Sequence, residues 1–246
     1  MVHRDEILAF ADDLLDVEAH PDYGPVGLQV VGADEVSAVA CGVSASRELF
    51  EHTKALGAEL VVVHHGLFWD RDSRVVDARL RGRLEALFDG DITLAAYHLA
   101  LDAHPEVGNN ALLAGELGLE VKEPFDVGFG CSLPEPVSAD AFLARVRHVL
   151  AREPLSFLYG PREIRRVAIV SGGAASMLPR AAAAGYELFL TGEPAEPTMM
   201  TARELGVHFV AGGHYATERL GVQALTERIG QRFDLPWHFI ELTNPV

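Results

Sequence analysis

Cysteine is nearly absent from this chain of 246 residues, which carries only Cys41 and Cys131. The first lies in a strand-like run and the second in a loop, far apart and with no partner pattern, so a disulfide framework is not expected and the pair fits a reduced cytoplasmic protein. Basic residues are also scarce. Twenty Lys and Arg face 36 Asp and Glu, a formal net charge of −16. Counterion release needs clustered cations, so this balance argues against a general nucleic-acid or anionic-membrane binder, though not against a local basic pocket. No apolar run approaches the roughly 20 residues that a membrane span needs. The opening "MVHRDEILAFADDLLDV" mixes acidic with apolar residues and reads as an amphipathic helix, not a signal peptide. Low-complexity sequence is missing too, apart from the alanines at 181–184. The expected location is the cytosol.

What is present is ordinary globular composition, 49% hydrophobic and 23% charged, on a chain long enough for one large domain or two small ones. Two are expected. After the first helix, "HPDYGPVGLQVVG" reads as a loop because of its prolines and glycines. "VSAVACGV" then reads as a strand, "SRELFEHTKALG" as a helix closed by Gly57, and "AELVVV" as a strand, the period switch of a βαβ unit. A helix around "DARLRGRLEALFDG", the strand "ITLAAY", the loop "HLALDAHPEVG" and a helix from Asn109 to Leu117 follow. Later come the strand "RRVAIV", the helix "SMLPRAAAAG", and the strands "YELFLT" and "GVHFVAGG". The helix "HYATERLGVQALTERIGQRF" and the strand "PWHFIEL" end the chain.

This order repeats. Residues 38–65 align without gaps on 166–193, an offset of 128 (166 − 38), in the pattern strand, small-residue turn, helix, Gly, strand. His98 with Asp102 and His214 with Glu218 repeat at an offset of 116 (214 − 98). Any doubly wound protein offers similar βαβ units, but the recurring polar pairs favour duplication. The expected fold is α/β, with two related αβα-layered domains at 1–124 and 125–246 and a metal site in the cleft between them. The boundary is approximate, and the terminal strand is free to pack back on the first half.

The polar pairs suggest the chemistry. "VVVHH" is a strand buried on both faces that ends in His64 and His65, and such sheets place their sites beyond the strand C-termini. Neighbours on an extended segment point apart, so the two rings could serve different ions. His214 and Glu218 lie one helical turn apart and can chelate together. Asp102 and His98 share that spacing but fall in the expected loop. Imidazoles and carboxylates without cysteine suit zinc, iron, manganese, cobalt or nickel, and five groups suffice for two ions if Glu218 bridges them. The turn "SGGAAS" lacks a phosphate-binding lysine and reads as a tight turn. Trp69 and Phe68 fit a packed lid or an oligomer contact better than a purine shelf.

"PVGLQVVG", "VVVHHGLFWD", "YHLALDAHPEVGNNALLA", "LTGE" and "AGGHYATERLGVQAL" resemble the motifs of the NIF-three-like dinuclear metal proteins, often labelled GTP cyclohydrolase 1 type 2 homologues. The resemblance runs from about Asp22 to the terminal "ELTNPV" and is closest to the short bacterial branch. It implies two α/β domains, a pair of divalent metal ions per chain and a ring-shaped homo-hexamer. Carried over by motif, the metal ligands are His64, His65, Asp102, His214 and Glu218, with His98 beside them as a further ligand or a proton donor. One departure is that Pro194 follows "TGE" where many members have a histidine or lysine. The expected function is a metal-dependent hydrolase acting on a small molecule through activated water, with His98 as the catalytic proton donor. The alternative is a non-catalytic metal-binding ring acting as metallochaperone or interaction scaffold.

Overall fold

The run Leu60–His65 is a strand because four β-branched or leucine side chains in succession can be buried on both faces of a parallel sheet, and Leu60 to His64 are all buried. The computed structural model describes all 246 residues. In chain order its elements are β1 (Val2–His3), α1 (Arg4–Leu15), β2 (Gly27–Val30), β3 (Glu35–Val36), β4 (Val39–Ser44), α2 (Arg47–Leu56), β5 (Leu60–His65), α3 (Ala78–Gly90), β6 (Thr93–Ala96), α4 (Leu99–Ala103), α5 (Asn109–Glu116), β7 (Glu120–Phe125), β8 (Gly128–Ser138), α6 (Ala139–Leu150), β9 (Leu155–Leu158), β10 (Glu163–Ile169), α7 (Leu178–Ala183), β11 (Leu188–Thr191), α8 (Thr198–Leu205), β12 (His208–Ala211), α9 (His214–Phe233) and β13 (Trp237–Phe239). No helix is long and apolar enough to cross a membrane.

Two units are distinguished, Met1–Leu101 with Gly221–Thr243, and Asp102–Leu220 with Asn244–Val246. The division differs from one after residue 124. It falls inside α4 and α9, and the end of α9 and β13 go with the first unit.

The first unit carries a five-stranded sheet in the order β13-β4-β5-β6-β2. Its first four strands are parallel and β2 runs antiparallel to β6. Ala40, Val61, Val63, Leu94 and Ala96 face Leu49, Phe50 and Leu87 of α2 and α3. The alternate set, Val39, Cys41, Leu60, Val62 and Ala95, is equally buried. Helix α2 is capped by the Ser46 hydroxyl, which accepts the Leu49 N–H, and ends at Gly57 with φ +70°, a left-handed conformation that glycine adopts without a Cβ penalty. The strand β2 lies within the expected loop. A register shift between Leu28 and Val30 interrupts its pairing with β6, and such a bulge breaks the alternation by which a strand is read.

The second unit carries a six-stranded sheet in the order β7-β8-β10-β11-β12-β9. The strands β10, β11 and β12 are parallel neighbours, as β4, β5 and β6 are in the first unit. Val167, Ile169, Leu188, Leu190 and Val210 pack against α5 and α6. Ala168, Val170, Phe189 and Phe209 take the other face with α7 and α8. The sheet is therefore the middle of three layers. The hairpin β7–β8 had no reading in the sequence, because β7 is almost wholly exposed and β8 contains Pro134 and Pro136, residues that read as strand breakers.

Candidate metal centre

In the first unit the end of β5 and the segment after β6 gather three imidazoles. His64, His65 and His98 each offer a ligand atom, and these atoms all lie within 4.8 Å of one another. The His64 and His65 rings do not point apart as neighbours on a regular strand would. Their centroids are 4.7 Å apart, because the strand ends there and the chain turns at Gly66, with the Leu67 N–H donating to Gln29 at 2.7 Å. Each ring is tied by Nδ1 to a different neighbour. His64 Nδ1 lies 2.9 Å from the Tyr97 carbonyl, and His65 Nδ1 lies 3.1 Å from the Ser44 hydroxyl.

His98 has Nδ1 2.9 Å from Asp22 Oδ1, and the other Asp22 oxygen accepts the Leu99 N–H at 2.9 Å. Burial opposes ionisation of Asp22, but hydrogen bonds from His98, Leu99 and Tyr23 outweigh it and hold the carboxyl below its ordinary value. Tyr97 is fully buried, and its hydroxyl donates to Asp12 at 2.8 Å, which anchors the residue whose carbonyl holds His64. Trp69 stands edge-on to His98 with centroids 5.1 Å apart. Phe68 packs against the core of the first unit.

In the second unit the donors are mainly carboxylates. His214 opens α9 and Glu218 follows one turn later, with His214 Nε2 3.0 Å from Glu218 Oε2. His214 Nδ1 lies 2.6 Å from Glu193. Burial pulls the His214 pKa down, but hydrogen bonds and charge from Glu218 and Glu193 prevail and push it up to about 9. Asp102, 3% exposed, accepts from Asn109 at 2.9 Å and from the Ser171 hydroxyl at 3.0 Å. The next residue, Gly172, has φ +66°, and a Cβ there would stand 2.1 Å from Glu218 Oε1. The turn read as "SGGAAS" thus brings Asp102 to one residue and Glu218 to the next, and only glycine leaves room for the latter.

The donor set fits a divalent transition-metal ion. All four histidines have Nδ1 tied to a carbonyl, hydroxyl or carboxylate, the anchoring that metal-binding histidines use to fix tautomer and ring orientation. Thiolates take no part, since burial pushes both Cys41 and Cys131 up to about 12. Neutral nitrogens with carboxylate oxygens suit zinc and its first-row neighbours better than calcium.

The sequence profile of Duf34/NIF3 (NGG1p interacting factor 3) matches residues 2–245. The chain belongs to this family. Among curated relatives, a "GTP cyclohydrolase 1 type 2 homolog" of Pseudomonas aeruginosa is 45% identical over 242 residues, covering 96% of this chain and 95% of that protein. An Escherichia coli protein of the same name is 43% identical, with 98% of each chain covered. A solved structure described as "Structural genomics, protein ybgI, unknown function" aligns with a TM-score of 0.97 at 40% identity, over 100% of both chains.

Within this Duf34/NIF3 chain, every residue named from the sequence carries a ligating atom in one of the two groups or beside them. The expected loop around Asp102 is the short helix α4, which carries Asp102 and which His98 immediately precedes. Sequence reasoning missed Asp22, Ser44, Asn109 and Ser171 as anchors. Glu193 stood within the "LTGE" motif without a role, and its offset of 128 from His65 was the available signal.

Proposed function

We propose that the two groups act together as a dinuclear centre of a metal-dependent hydrolase, with His64, His65, Asp102, His214 and Glu218 as ligands and Glu218 as the bridge. The observation that carries this reading is the donor chemistry, three imidazoles anchored through Nδ1 in the first unit and, in the second, a fourth together with two buried carboxylates. When bound, a pair of divalent ions would lower the pKa of a coordinated water to about 7 and polarise the bond to be cleaved.

The chain's own residues do the rest. Asp102 and Glu218 supply the negative charge that makes a buried cation tolerable, since buried carboxylates are costly unless paired or ligating. With Nδ1 of His64, His65 and His214 tied, coordination falls to Nε2, which in His214 lies 3.0 Å from Glu218 Oε2. His98 moves the proton on which bond cleavage depends, and Trp69 screens its ring from solvent on one side. The protein works in the cytosol as a homo-hexamer. The name of the curated relatives makes GTP the first small-molecule substrate to try, followed by cyclic amides and phosphoesters.

The test is metal content beside turnover, on protein reconstituted with zinc, iron, manganese, cobalt or nickel, with the hexamer checked by light scattering. Asp102→Ala should lose metal and activity together. His98→Asn should keep its metal and lose about 10²–10⁴-fold in turnover, the usual contribution of a positioned acid or base. Full turnover in both variants would instead make the metal structural and favour the scaffold or metallochaperone.

A further inference from the structure

We propose that Asp22 is the positioning residue for His98, fixing the imidazole with its proton on Nδ1 so that Nε2 faces the histidine group as an acceptor. Three donors converge on this one carboxylate. The Tyr23 N–H reaches Oδ1 at 2.7 Å and the Leu99 N–H reaches Oδ2 at 2.9 Å. A backbone N–H can only donate, so both oxygens are committed as acceptors. His98 Nδ1 stands 2.9 Å from Oδ1, and a ring nitrogen facing such an oxygen forms a hydrogen bond only by donating.

The carboxylate is built in. Its side chain is 2% exposed, against 19% for His98, and the loop that carries it is pinned to the segment after the histidine doublet by the Asp70 N–H, which donates to the Tyr23 carbonyl at 2.7 Å. The imidazole is hemmed in as well, with ring centroids of His64 at 5.0 Å, Trp69 at 5.1 Å and His65 at 5.5 Å. A ring so packed does not flip to exchange its nitrogens.

The consequence changes the order of events in the proposed reaction, on which the catalytic part of this inference rests. With Nδ1 protonated and Nε2 bare, His98 starts as a base. It takes a proton from the attacking water at Nε2, and the imidazolium is steadied by the Asp22 carboxylate. It then returns that proton from Nε2 to the leaving atom, which regains neutrality as its bond to the substrate breaks. An aspartate that holds a histidine in one tautomer does the same in hydrolytic triads of unrelated folds.

The tautomer is measurable without metal or substrate. Full-length protein labelled with nitrogen-15 at histidine should show His98 Nδ1 as the protonated, pyrrole-type nitrogen and Nε2 as pyridine-type in long-range proton–nitrogen spectra. Asp22→Ala should shift both signals toward the averaged values of a ring exchanging tautomers. Asp22→Ser keeps a hydroxyl able to cap the Leu99 N–H and should give the same shift, which covers the case in which the alanine variant fails to fold. Zinc content, read on the same samples, should be unchanged. A wild-type His98 protonated on Nε2, or a pyrrole-type Nδ1 that persists in the folded variants, would overturn the assignment. Wild-type protein that takes up none of zinc, iron, manganese, cobalt and nickel would sink the dinuclear reading and leave the tautomer result standing.

Discussion

The two units place different chemistry on matching frames. In the gap-free alignment Ser44 stands opposite Gly172 and His65 opposite Glu193. Each pair lies across neighbouring strand ends. The Ser44 hydroxyl meets His65 Nδ1 at 3.1 Å, and the Gly172 carbonyl accepts the Glu193 N–H at 3.1 Å. Gly57 and Gly185 follow the intervening helices with φ +70° and +80°. The frame is repeated, but the sign of the donors is not. The first unit gathers imidazoles, and its one nearby carboxylate, Asp22, is spent on His98. The second gathers Glu218 and Glu193 around a single imidazole and holds a further carboxylate, Asp102, on Asn109 and Ser171. The two units thus share the backbone arrangement that presents donors at strand ends and differ in residue type, imidazoles in the first and mainly carboxylates in the second. The raised His214 pKa follows from this asymmetry: without a cation, a proton on His214 compensates its two glutamates.

If the anionic half carries the charge compensation, Glu218→Ala should have the largest effect. It should cost at least one of the two proposed ions and the turnover with it, whereas His65→Asn, a neutral replacement in the other half, should lose less metal. Elemental analysis of both variants decides the matter, and equal losses would break the comparison.

A smaller effect is expected from the backbone. Gly172→Ala forces a Cβ into the left-handed region and toward Glu218, at about 1–3 kcal/mol for the strained conformation. Ser44→Gly, at the matching position, removes only a hydroxyl contact to His65 and should cost about 1 kcal/mol. Denaturant midpoints of the two variants measure the difference.

The smallest expected effect is on pH dependence. A His214 pKa raised to about 9 means that, in metal-free protein, its contribution to stability is fully present below its ordinary value near 6.5 and is lost as the pH rises through about 9. Zinc should abolish this loss, since a coordinated His214 carries no proton on Nε2. Urea midpoints at about pH 6 and pH 9.5, with and without zinc, read it directly. A metal-free midpoint that stays level across that range would show that the glutamates do not hold the proton.

Local pattern determined much of this protein. The valine run before His64, the glycine after α2 and the helical spacing of His214 and Glu218 are all set by side chains a few positions apart, because strand and helix periods are short. That is why the candidate donor residues were legible. Where pattern was broken, it failed: the bulge hid β2, prolines hid β8, and the punctuation of "HLALDAHPEVG" hid α4. The anchors were decided by tertiary structure alone. Asp22 reaches His98 across 76 residues, Ser171 reaches Asp102 across 69, and Glu193 reaches His214 across 21. Such bonds have no period and no propensity. They form only once hydrophobic burial has brought distant strand ends together, and they settle which nitrogen of each histidine faces the site.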